Sequence, residues 1–295
     1  MLIPLRSSST DAAENLAIEE HLLDRVAESG DSLFLLYVDA PCVVIGRSQN
    51  PWVEAATLPA LPVFRRLSGG GAVYHDGGNL NWALITPRPS HDQDKELSLV
   101  AAAISALGTE ALPGPRGGIF AGPGSRLPGA KLSGTARRLS ARAVLHHGTL
   151  LVESDLAKLR FALGGIVVSK SRALASVPAH VANLADLVPG LGLEAAASGL
   201  ARSLCGAEPT PVERLVTAGS QAEAVARHRS WEWVYGETPP FAFEPPDFPG
   251  CVIDVRKGMV EAVRGQSAGE LTRLVGERFD PGLDHIIPDR IEGAQ

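Results

Sequence analysis

Two adjacent arginines and three consecutive glycines lie in one short stretch and could together bind an anion. Arg65 and Arg66 end an apolar run, and the glycines at 69–71 precede a second apolar run. Glycine has no side chain, so the backbone N–H groups of such a turn can approach a ligand closely. A guanidinium suits a phosphate or carboxylate because it donates two parallel hydrogen bonds. The stretch therefore predicts an anion-binding loop for a nucleotide or an activated acid.

This loop differs from the common phosphate-binding loops. No Gly-Lys-Ser/Thr follows it, which excludes a Walker A loop, and its glycines lack the dinucleotide-binding spacing. Apolar residues on both sides and an Asp-Gly-Gly-Asn turn at 76–79 predict strand, loop, strand, turn, strand. A glycine-rich hairpin that only turns the chain is the alternative, but such a hairpin has no need of paired arginines.

Periodicity and end signals predict the elements that must position this loop. Strands are predicted at 33–38, 42–45 and 144–152, and a hairpin at 251–263 that turns at Lys257-Gly258. Helices are predicted at 10–28 with a Thr10 cap, 95–107, 193–204, 212–227 and 268–278. The Gly/Pro-rich segment 112–129 is predicted to be a mobile active-site loop, and 238–249 a linker. Antiparallel hairpins mixed with helices predict the α+β class rather than a doubly wound sheet.

Composition limits the function further. The chain has 295 residues, 45% of them hydrophobic, which is enough for one sizeable domain and a small appendage. The net charge of −6 and the absence of a broadly basic surface argue against a nucleic-acid partner. No apolar run is long enough for a membrane span, and no secretory signal is evident. Cys42, Cys205 and Cys251 are widely separated and predict free thiols in a reducing cytoplasm, without a metal site.

Five further motifs accompany the glycine loop in a fixed order. They are Val43-Val44-Ile45-Gly46-Arg47-Ser48-Gln49-Asn50-Pro51-Trp52, Lys131-Leu132-Ser133-Gly134-Thr135-Ala136, His147-Gly148-Thr149-Leu150-Leu151, Val181-Ala182-Asn183-Leu184 and Trp233-Val234-Tyr235-Gly236-Glu237-Thr238-Pro239. With Arg65-Arg66-Leu67-Ser68-Gly69-Gly70-Gly71-Ala72-Val73, this set resembles the lipoate–protein ligase family of the biotin/lipoate ligase group. The resemblance covers most of the chain from about residue 15 to residue 241.

The resemblance implies a two-step reaction. ATP activates lipoate or octanoate as an acyl-adenylate, and a lysine of a lipoyl carrier domain then takes the acyl group as an amide. Mg²⁺ is implied with ATP, held mainly by phosphates and water. The implied fold is a mixed or antiparallel sheet flanked by helices, with a catalytic domain at 1–245 followed by a small, partial C-terminal accessory segment at 246–295. Because that segment is small, an accessory subunit is a further possibility.

The resemblance also assigns site residues. Lys131 is the expected catalytic cation, since its compact ammonium can hold a carboxylate and an α-phosphate oxygen together. The nucleotide is expected on Arg65, Gly70, Gly71, Ala72, Val73 and Lys131. The remaining substrate contacts are expected from Arg66, Ser68, Gly69, Tyr74, Asn79, Gly134, Ala136 and His147.

Several of these assignments keep a structural alternative. Adjacent strand residues face opposite sides, so at most one of Arg65 and Arg66 should reach the ligand. Asn79 could instead cap the Asp76 turn, Tyr74 could be a core residue, and His147 is more simply a structural histidine than a general base.

Three other functions remain open at this point. An octanoyl or lipoyl transferase of the same fold would pass the acyl group between carriers through a cysteine, but the 112–131 segment contains none. A non-catalytic lipoyl-binding module would not need Lys131 together with the complete glycine loop. A biotin ligase fits the Arg-Arg-x-Ser-Gly-Gly-Gly-Ala-Val pattern less well. The sequence therefore favours the lipoate ligase.

Overall fold

The computed structural model describes residues 2–56, 61–216, 219–265 and 268–282. The strands are β1 (Leu2–Arg6), β2 (Ser32–Tyr37), β3 (Cys42–Ile45), β4 (Val63–Arg65), β5 (Val73–His75), β6 (Asn79–Pro87), β7 (Ala111–Pro113), β8 (Ile119–Ala121), β9 (Lys131–Ser133), β10 (Thr135–Leu139), β11 (Ala143–Leu151), β12 (Lys170–Ser171), β13 (Thr210–Pro211), β14 (Phe241–Phe243), β15 (Cys251–Arg256) and β16 (Met259–Gly265). The helices are α1 (Ala12–Ser29), α2 (Pro51–Glu54), α3 (Gln93–Ser105), α4 (Leu156–Ala162), α5 (Leu184–Leu187), α6 (Leu193–Cys205), α7 (Ala222–Arg229), α8 (Trp231–Val234) and α9 (Ala268–Leu271).

A six-stranded sheet in the order β10-β11-β6-β2-β1-β13 forms the centre of the molecule. Its strand β2 is apolar along almost its whole length because both of its faces are covered. Leu33 and Leu35 point to the face covered by α1, whereas Phe34 and Leu36 point to the face covered by α3 and α6. The two-residue period of a strand thus divides one apolar run between two cores.

A small sheet in the order β4-β3-β5 presents the glycine loop. Strand β3 pairs in parallel with β4 and antiparallel with β5, so the chain leaves β4 and returns on the other side of β3. The intervening loop passes close to Gly46, where a side-chain carbon would lie 2.2 Å from the Gly70 carbonyl oxygen. A residue larger than glycine would therefore displace the loop.

The Gly/Pro-rich segment 112–129, predicted to be irregular, is part of a third sheet. Strands β7, β8 and β9 pair antiparallel, and β9 begins at Lys131. Side-chain carbons at Gly114 and Gly118 would lie 2.5 and 2.7 Å from the Phe120 ring. These two glycines therefore allow the Phe120 ring to pack beside the turn, and the prediction of a structureless loop is wrong for this part of the segment.

A fourth sheet, in the order β12-β14-β15-β16, carries the C-terminal part of the chain. The predicted hairpin is confirmed as β15 and β16, with Lys257 and Gly258 both at positive φ in the turn. The predicted linker instead contains β14, which pairs with β15. The predicted domain boundary at residue 245 therefore falls inside a sheet that also takes β12 from the preceding part of the chain.

The α+β class with sheets flanked by helices is confirmed, while several predicted helix ends move. Asp11, rather than Thr10, caps α1 by accepting from the backbone N–H groups of residues 13 and 14. The predicted helix at 212–227 is replaced by a 3₁₀ turn at Val212–Arg214 and by α7. The predicted helix at 268–278 stops at Leu271 and continues as the 3₁₀ turn Thr272–Leu274. Within the described ranges, no helix combines the length and the apolarity needed to cross a bilayer.

Candidate active site

A cavity of about 570 Å³ lies between the glycine loop, strands β9 to β11 and the segment 174–180. It brings together many of the residues that the sequence predicts, from three separate motifs: Arg66, Gly70, Gly71, Ala72, Val73, Lys131, Gly134, Ala136 and His147. Motifs that are far apart in the sequence thus line one space.

Arg66 organises the glycine loop from behind. Its Nη2 donates to the carbonyl oxygens of Gly69 at 2.6 Å and Gly71 at 2.7 Å, and its Nη1 donates to Val44 O at 3.1 Å. Gly70 has φ +87°, a conformation that favours glycine. In the described chain, no group accepts a hydrogen bond from the backbone N–H of Gly70 or Gly71. The loop therefore offers unpaired N–H donors beside a buried guanidinium, a combination suited to an anion.

Arg65 is fully buried and lies outside the cavity lining. Its guanidinium donates to the carbonyl oxygens of Gly46, Arg47, Gln49, Trp233 and Val234 and to the Thr238 hydroxyl. Burial lowers the pKa of Arg65 to about 10, and the neighbouring Arg47 charge acts in the same direction. Its donors connect the turn after β3 to the segment 233–238. Of the two adjacent arginines, Arg66 lines the cavity and Arg65 does not.

Lys131 reaches the cavity from the start of β9. Its backbone N–H donates to His180 O at 2.8 Å, which holds the strand against the segment that covers the cavity. Its half-buried ammonium lies near Gly134, where an added side-chain carbon would be 3.5 Å from Nζ. Burial lowers the pKa of Lys131, and the positive charge of Arg116 lowers it further. Lys131 is therefore a partly desolvated cation that an anionic ligand would stabilise.

His147 lines the cavity and belongs to a buried hydrogen-bonded chain. Its Nδ1 lies 2.8 Å from Glu19 Oε2, and its Nε2 lies 2.6 Å from Ser68 Oγ. Ser68 is buried outside the cavity lining and also accepts from Arg66 Nε at 3.0 Å. The two predicted residues thus lie behind the glycine loop and connect it to helix α1.

Three other predicted contact residues lie away from the cavity lining. Tyr74 is buried in a hydrophobic cluster with Val43 and Ile45. Its surroundings are therefore those of a core residue. Asn79 is buried and donates to Asn81 Oδ1 at 3.0 Å, and Asn81 is the one of this pair that lines the cavity. Gly69 contributes its carbonyl oxygen to Arg66.

Sequence reasoning missed two groups that line the cavity. Ser176 Oγ accepts from the Ala72 backbone N–H at 2.8 Å and from Gln49 Nε2 at 3.0 Å, which connects the segment 174–180 to the glycine loop. Arg116, in the turn before β8, has φ +55°. Ser176 lies in a segment without periodicity or motif, so nothing local in the sequence could have singled it out.

The cysteines lie away from the cavity lining, and burial raises the pKa of each thiol. Within the described residues, Asp39, Cys42 and His75 form the group whose possible metal-donor atoms lie within 4.8 Å of one another. Asp39 already accepts from Asn15 Nδ2 and pairs with His75 Nδ1, both at 2.7 Å. Asp39 and His75 thus belong to a buried hydrogen-bonded group beside Cys42.

The central sheet, the glycine loop and the lysine across the cavity define a lipoate/biotin ligase-type catalytic domain. The family model described as the lipoyl protein ligase A/B catalytic domain matches residues 11–204. The match spans about two thirds of the chain, so the chain belongs to this family and carries the catalytic domain of an enzyme of protein lipoylation.

Solved structures show the same fold. P. falciparum LipL1 in complex with lipoate has a TM-score of 0.69 at 18% identity, covering 95% of this chain and 91% of that chain. A bipartite lipoate protein ligase from Thermoplasma acidophilum, described together with its E2 lipoyl domain, has a TM-score of 0.62 at 22% identity, covering 79% and 96%. A lipoate–protein ligase A bound with ATP has a TM-score of 0.61 at 24% identity, covering 79% and 96%.

Proposed function

We propose that this protein is an ATP-dependent lipoate–protein ligase. It activates lipoate or octanoate as an acyl-adenylate and transfers the acyl group to a lysine of a lipoyl carrier domain. The observation that carries the proposal is one cavity lined both by half-buried Lys131 and by Gly70 and Gly71, whose N–H groups have no acceptor among the described residues. A reaction that joins a carboxylate to a phosphate needs fixed positive charge and N–H donors where negative charge accumulates.

The chain's own groups fit a nucleotide. The N–H groups of Gly70 and Gly71 have no acceptor among the described residues, and Arg66 places its charge behind them. Arg116 adds a second cation on the cavity wall beside Lys131. When bound, ATP supplies the energy that turns the carboxylate into an acylating agent. The protein contributes positioning and charge stabilisation, and no covalent enzyme intermediate is required.

Apolar side chains in the same cavity fit the acyl chain. Leu16, Val44 and Phe120 line it from the body of the protein, and Leu174 and Val177 line it from the covering segment. Leu174 and Val177 are both more than half exposed, so this apolar surface faces solvent beside the cavity. A ligand with a hydrocarbon chain and a terminal carboxylate would bury that surface and bring its charge toward Lys131.

The relatives support this substrate class by analogy. One neighbour was solved with lipoate, one with ATP, and one is described with an E2 lipoyl domain. We accordingly propose lipoate or octanoate, Mg²⁺ with ATP, and a lipoyl carrier domain as the ligands of this chain. An accessory subunit remains a proposal, suggested by the bipartite relative. The base that deprotonates the carrier lysine is left unassigned, because His147 is already paired to Glu19 and Ser68.

The second candidate is an octanoyl or lipoyl transferase that works without ATP through a cysteine. Such a reaction needs a reactive thiolate in the cavity. Cys42 is 2% exposed, and both burial and the Asp39 carboxylate raise the pKa of its thiol. The residues lining the described cavity include no cysteine, which favours the ligase over the transferase.

Two reactions run in parallel distinguish these candidates. The purified chain is mixed with an unmodified lipoyl domain and either free lipoate with Mg·ATP or an octanoylated carrier without ATP, and the acceptor's mass is measured. The proposal predicts modification only with lipoate and ATP. Modification only from the octanoylated carrier would establish the transferase, and no modification in either reaction would favour a non-catalytic module or a missing subunit.

A further inference from the structure

We infer that Glu19 and His147 are positioning residues that hold the Arg66 guanidinium, and through it the glycine loop, in the arrangement that binds the nucleotide phosphates. The inference rests on the proposed function because it assigns ATP to that loop. It adds Glu19, a buried carboxylate in α1 outside every motif of the sequence, to the residues on which the reaction depends.

The chain of contacts is continuous from helix α1 to the loop. Tyr37 Oη donates to Glu19 Oε1 at 3.0 Å, and His147 Nδ1 lies 2.9 Å from Glu19 Oε1 and 2.8 Å from Oε2. His147 Nε2 lies 2.6 Å from Ser68 Oγ, which accepts from Arg66 Nε at 3.0 Å. All five side chains are buried. Water therefore has little access to replace any contact that is lost.

One arrangement of donors and acceptors links these groups. A carboxylate only accepts, so His147 donates from Nδ1 to Glu19, and in the neutral imidazole Nε2 is then an acceptor. The Ser68 hydroxyl then donates to Nε2 and keeps a lone pair for Arg66 Nε. Glu19 thus determines the orientation of the imidazole, and the imidazole determines the orientation of the hydroxyl that holds Arg66.

Arg66 transmits this orientation to the loop. Its Nη2 binds the carbonyl oxygens of Gly69 and Gly71, on either side of Gly70, whose φ is +87°. Burial lowers the pKa of Arg66 to about 10, and the Glu19 carboxylate opposes that effect. Loss of Glu19 would therefore disturb the orientation of the group behind the phosphate-binding loop.

His146, which precedes His147 in strand β11, forms a similar pair with Glu96 that provides a matched control for Glu19. His146 is also buried, and its Nδ1 lies 2.8 Å from Glu96 Oε2. Because adjacent strand residues point to opposite faces, this second histidine–glutamate pair lies outside the cavity lining. Glu96 makes no described contact with Arg66 or with the glycine loop. Substitution of Glu96 removes a similar buried contact without reaching the proposed site.

The experiment compares Glu19→Ala, Glu19→Gln and Ser68→Ala with Glu96→Ala and Glu96→Gln. Lipoate-dependent ATP–pyrophosphate exchange gives kcat and KM for ATP, titration calorimetry gives the Kd for Mg·ATP, and thermal unfolding reports folding. We expect Glu19→Ala and Ser68→Ala to raise KM and Kd for ATP about tenfold, with a smaller change in kcat. Glu19→Gln keeps an acceptor for His147 Nδ1, and we expect it to restore most of the affinity. Both Glu96 variants should stay within about twofold of wild type.

Three results would overturn the inference: unchanged ATP affinity in Glu19→Ala, an equal loss of affinity in Glu96→Ala, or no recovery in Glu19→Gln. If Glu19→Ala fails to fold, Ser68→Ala, which removes one oxygen atom, decides the question in its place. Failure of the proposed function is seen separately, as absence of exchange by the wild-type chain. In that case the Kd values for Mg·ATP still test the positioning role.

Discussion

Lys131 holds its charge where both burial and a neighbouring cation disfavour it. Its side chain is half-buried in the cavity wall, and Arg116 lies close enough to lower its pKa. A cation in such a place binds an anion more strongly than a fully hydrated lysine does, because part of its desolvation cost has already been met by folding. The same environment makes its charge sensitive to alkaline pH.

The rate of acyl-adenylate formation should depend on pH through the charge of Lys131, which the neighbouring Arg116 influences. If Lys131 acts as a cation, exchange falls as pH rises through its lowered pKa. Arg116→Gln removes a positive charge, which raises that pKa and moves the alkaline limb to higher pH. The measurement is lipoate-dependent pyrophosphate exchange from about pH 7 to about pH 11, with Arg126→Gln as the control because Arg126 lies outside the cavity lining. A limb that stays in place or moves to lower pH in Arg116→Gln would contradict this role.

Substitution of Arg65 should lower stability, whereas substitution of Arg66 should weaken nucleotide binding. Arg65→Met leaves buried carbonyl oxygens without their donor, and we expect the free energy of unfolding to fall by about 3 kcal/mol. KM for ATP in the folded protein should change by less than about threefold, whereas Arg66→Met should raise it more than about tenfold. Urea unfolding and exchange kinetics measure the two effects. A large rise in KM without loss of stability in Arg65→Met would return Arg65 to the nucleotide site.

At the level of secondary structure, the segments that line the cavity are held in place in different ways. The glycine loop is held by β3, β4 and β5, and Lys131 by β9. The segment 174–180 has no strand or helix of its own and is connected to the glycine loop through Ser176. Backbone hydrogen bonds from Leu174 N–H to Ser48 O and from Lys131 N–H to His180 O hold the two ends of this segment, and Ser176 holds its middle.

Ser176→Ala tests that connection. The variant leaves the Ala72 N–H and Gln49 Nε2 without this acceptor, and we expect KM for lipoate to rise about fivefold, near 1 kcal/mol. Ser171→Ala is the matched control, because that exposed serine accepts only from the Ala173 N–H of its own segment. Steady-state exchange kinetics measure both variants. Equal KM values for lipoate in Ser176→Ala and wild type would show that the segment does not need this contact.

The motifs predicted part of the cavity lining, because each places several lining residues together in the chain. The alternation of strand residues showed that Arg65 and Arg66 must face opposite sides, but not which of them faces the ligand. That choice depends on the segment 233–238 packing beside Arg65, a contact between residues distant in sequence. Glu19 and Ser176 were missed for the same reason, because each acts through a partner far along the chain. The strands at 111–121 were missed because their glycines and prolines resemble a loop locally.

At the scale of the whole molecule, the C-terminal sheet is joined to the catalytic domain by shared strands and aromatic contacts. Trp52, in α2, packs against Tyr235, Phe241 and Phe279 with ring centroids 5.1 to 5.6 Å apart. Phe241 and Phe243 of β14 pack with Ile253 and Val255 in one buried cluster. The accessory segment therefore completes a core that begins before residue 245.

A chain ending at residue 245 tests the predicted division into domains. Removal of β15 leaves the apolar side chains of β14 exposed, so we expect the shortened chain to aggregate or to unfold at least about 10 °C below the full chain. Thermal unfolding followed by circular dichroism measures the difference. An unchanged unfolding temperature would show that 1–245 is an independent domain.

ATP–pyrophosphate exchange with lipoate, octanoate and biotin tests whether Lys131 and the glycine loop together form an adenylating site. Wild type is compared with Lys131→Ala and with Lys158→Ala as the surface-lysine control. We predict exchange with lipoate or octanoate but not with biotin, an unchanged rate in Lys158→Ala, and a loss of at least about 100-fold in Lys131→Ala. Absence of exchange with every acid, or full exchange in Lys131→Ala, would contradict it.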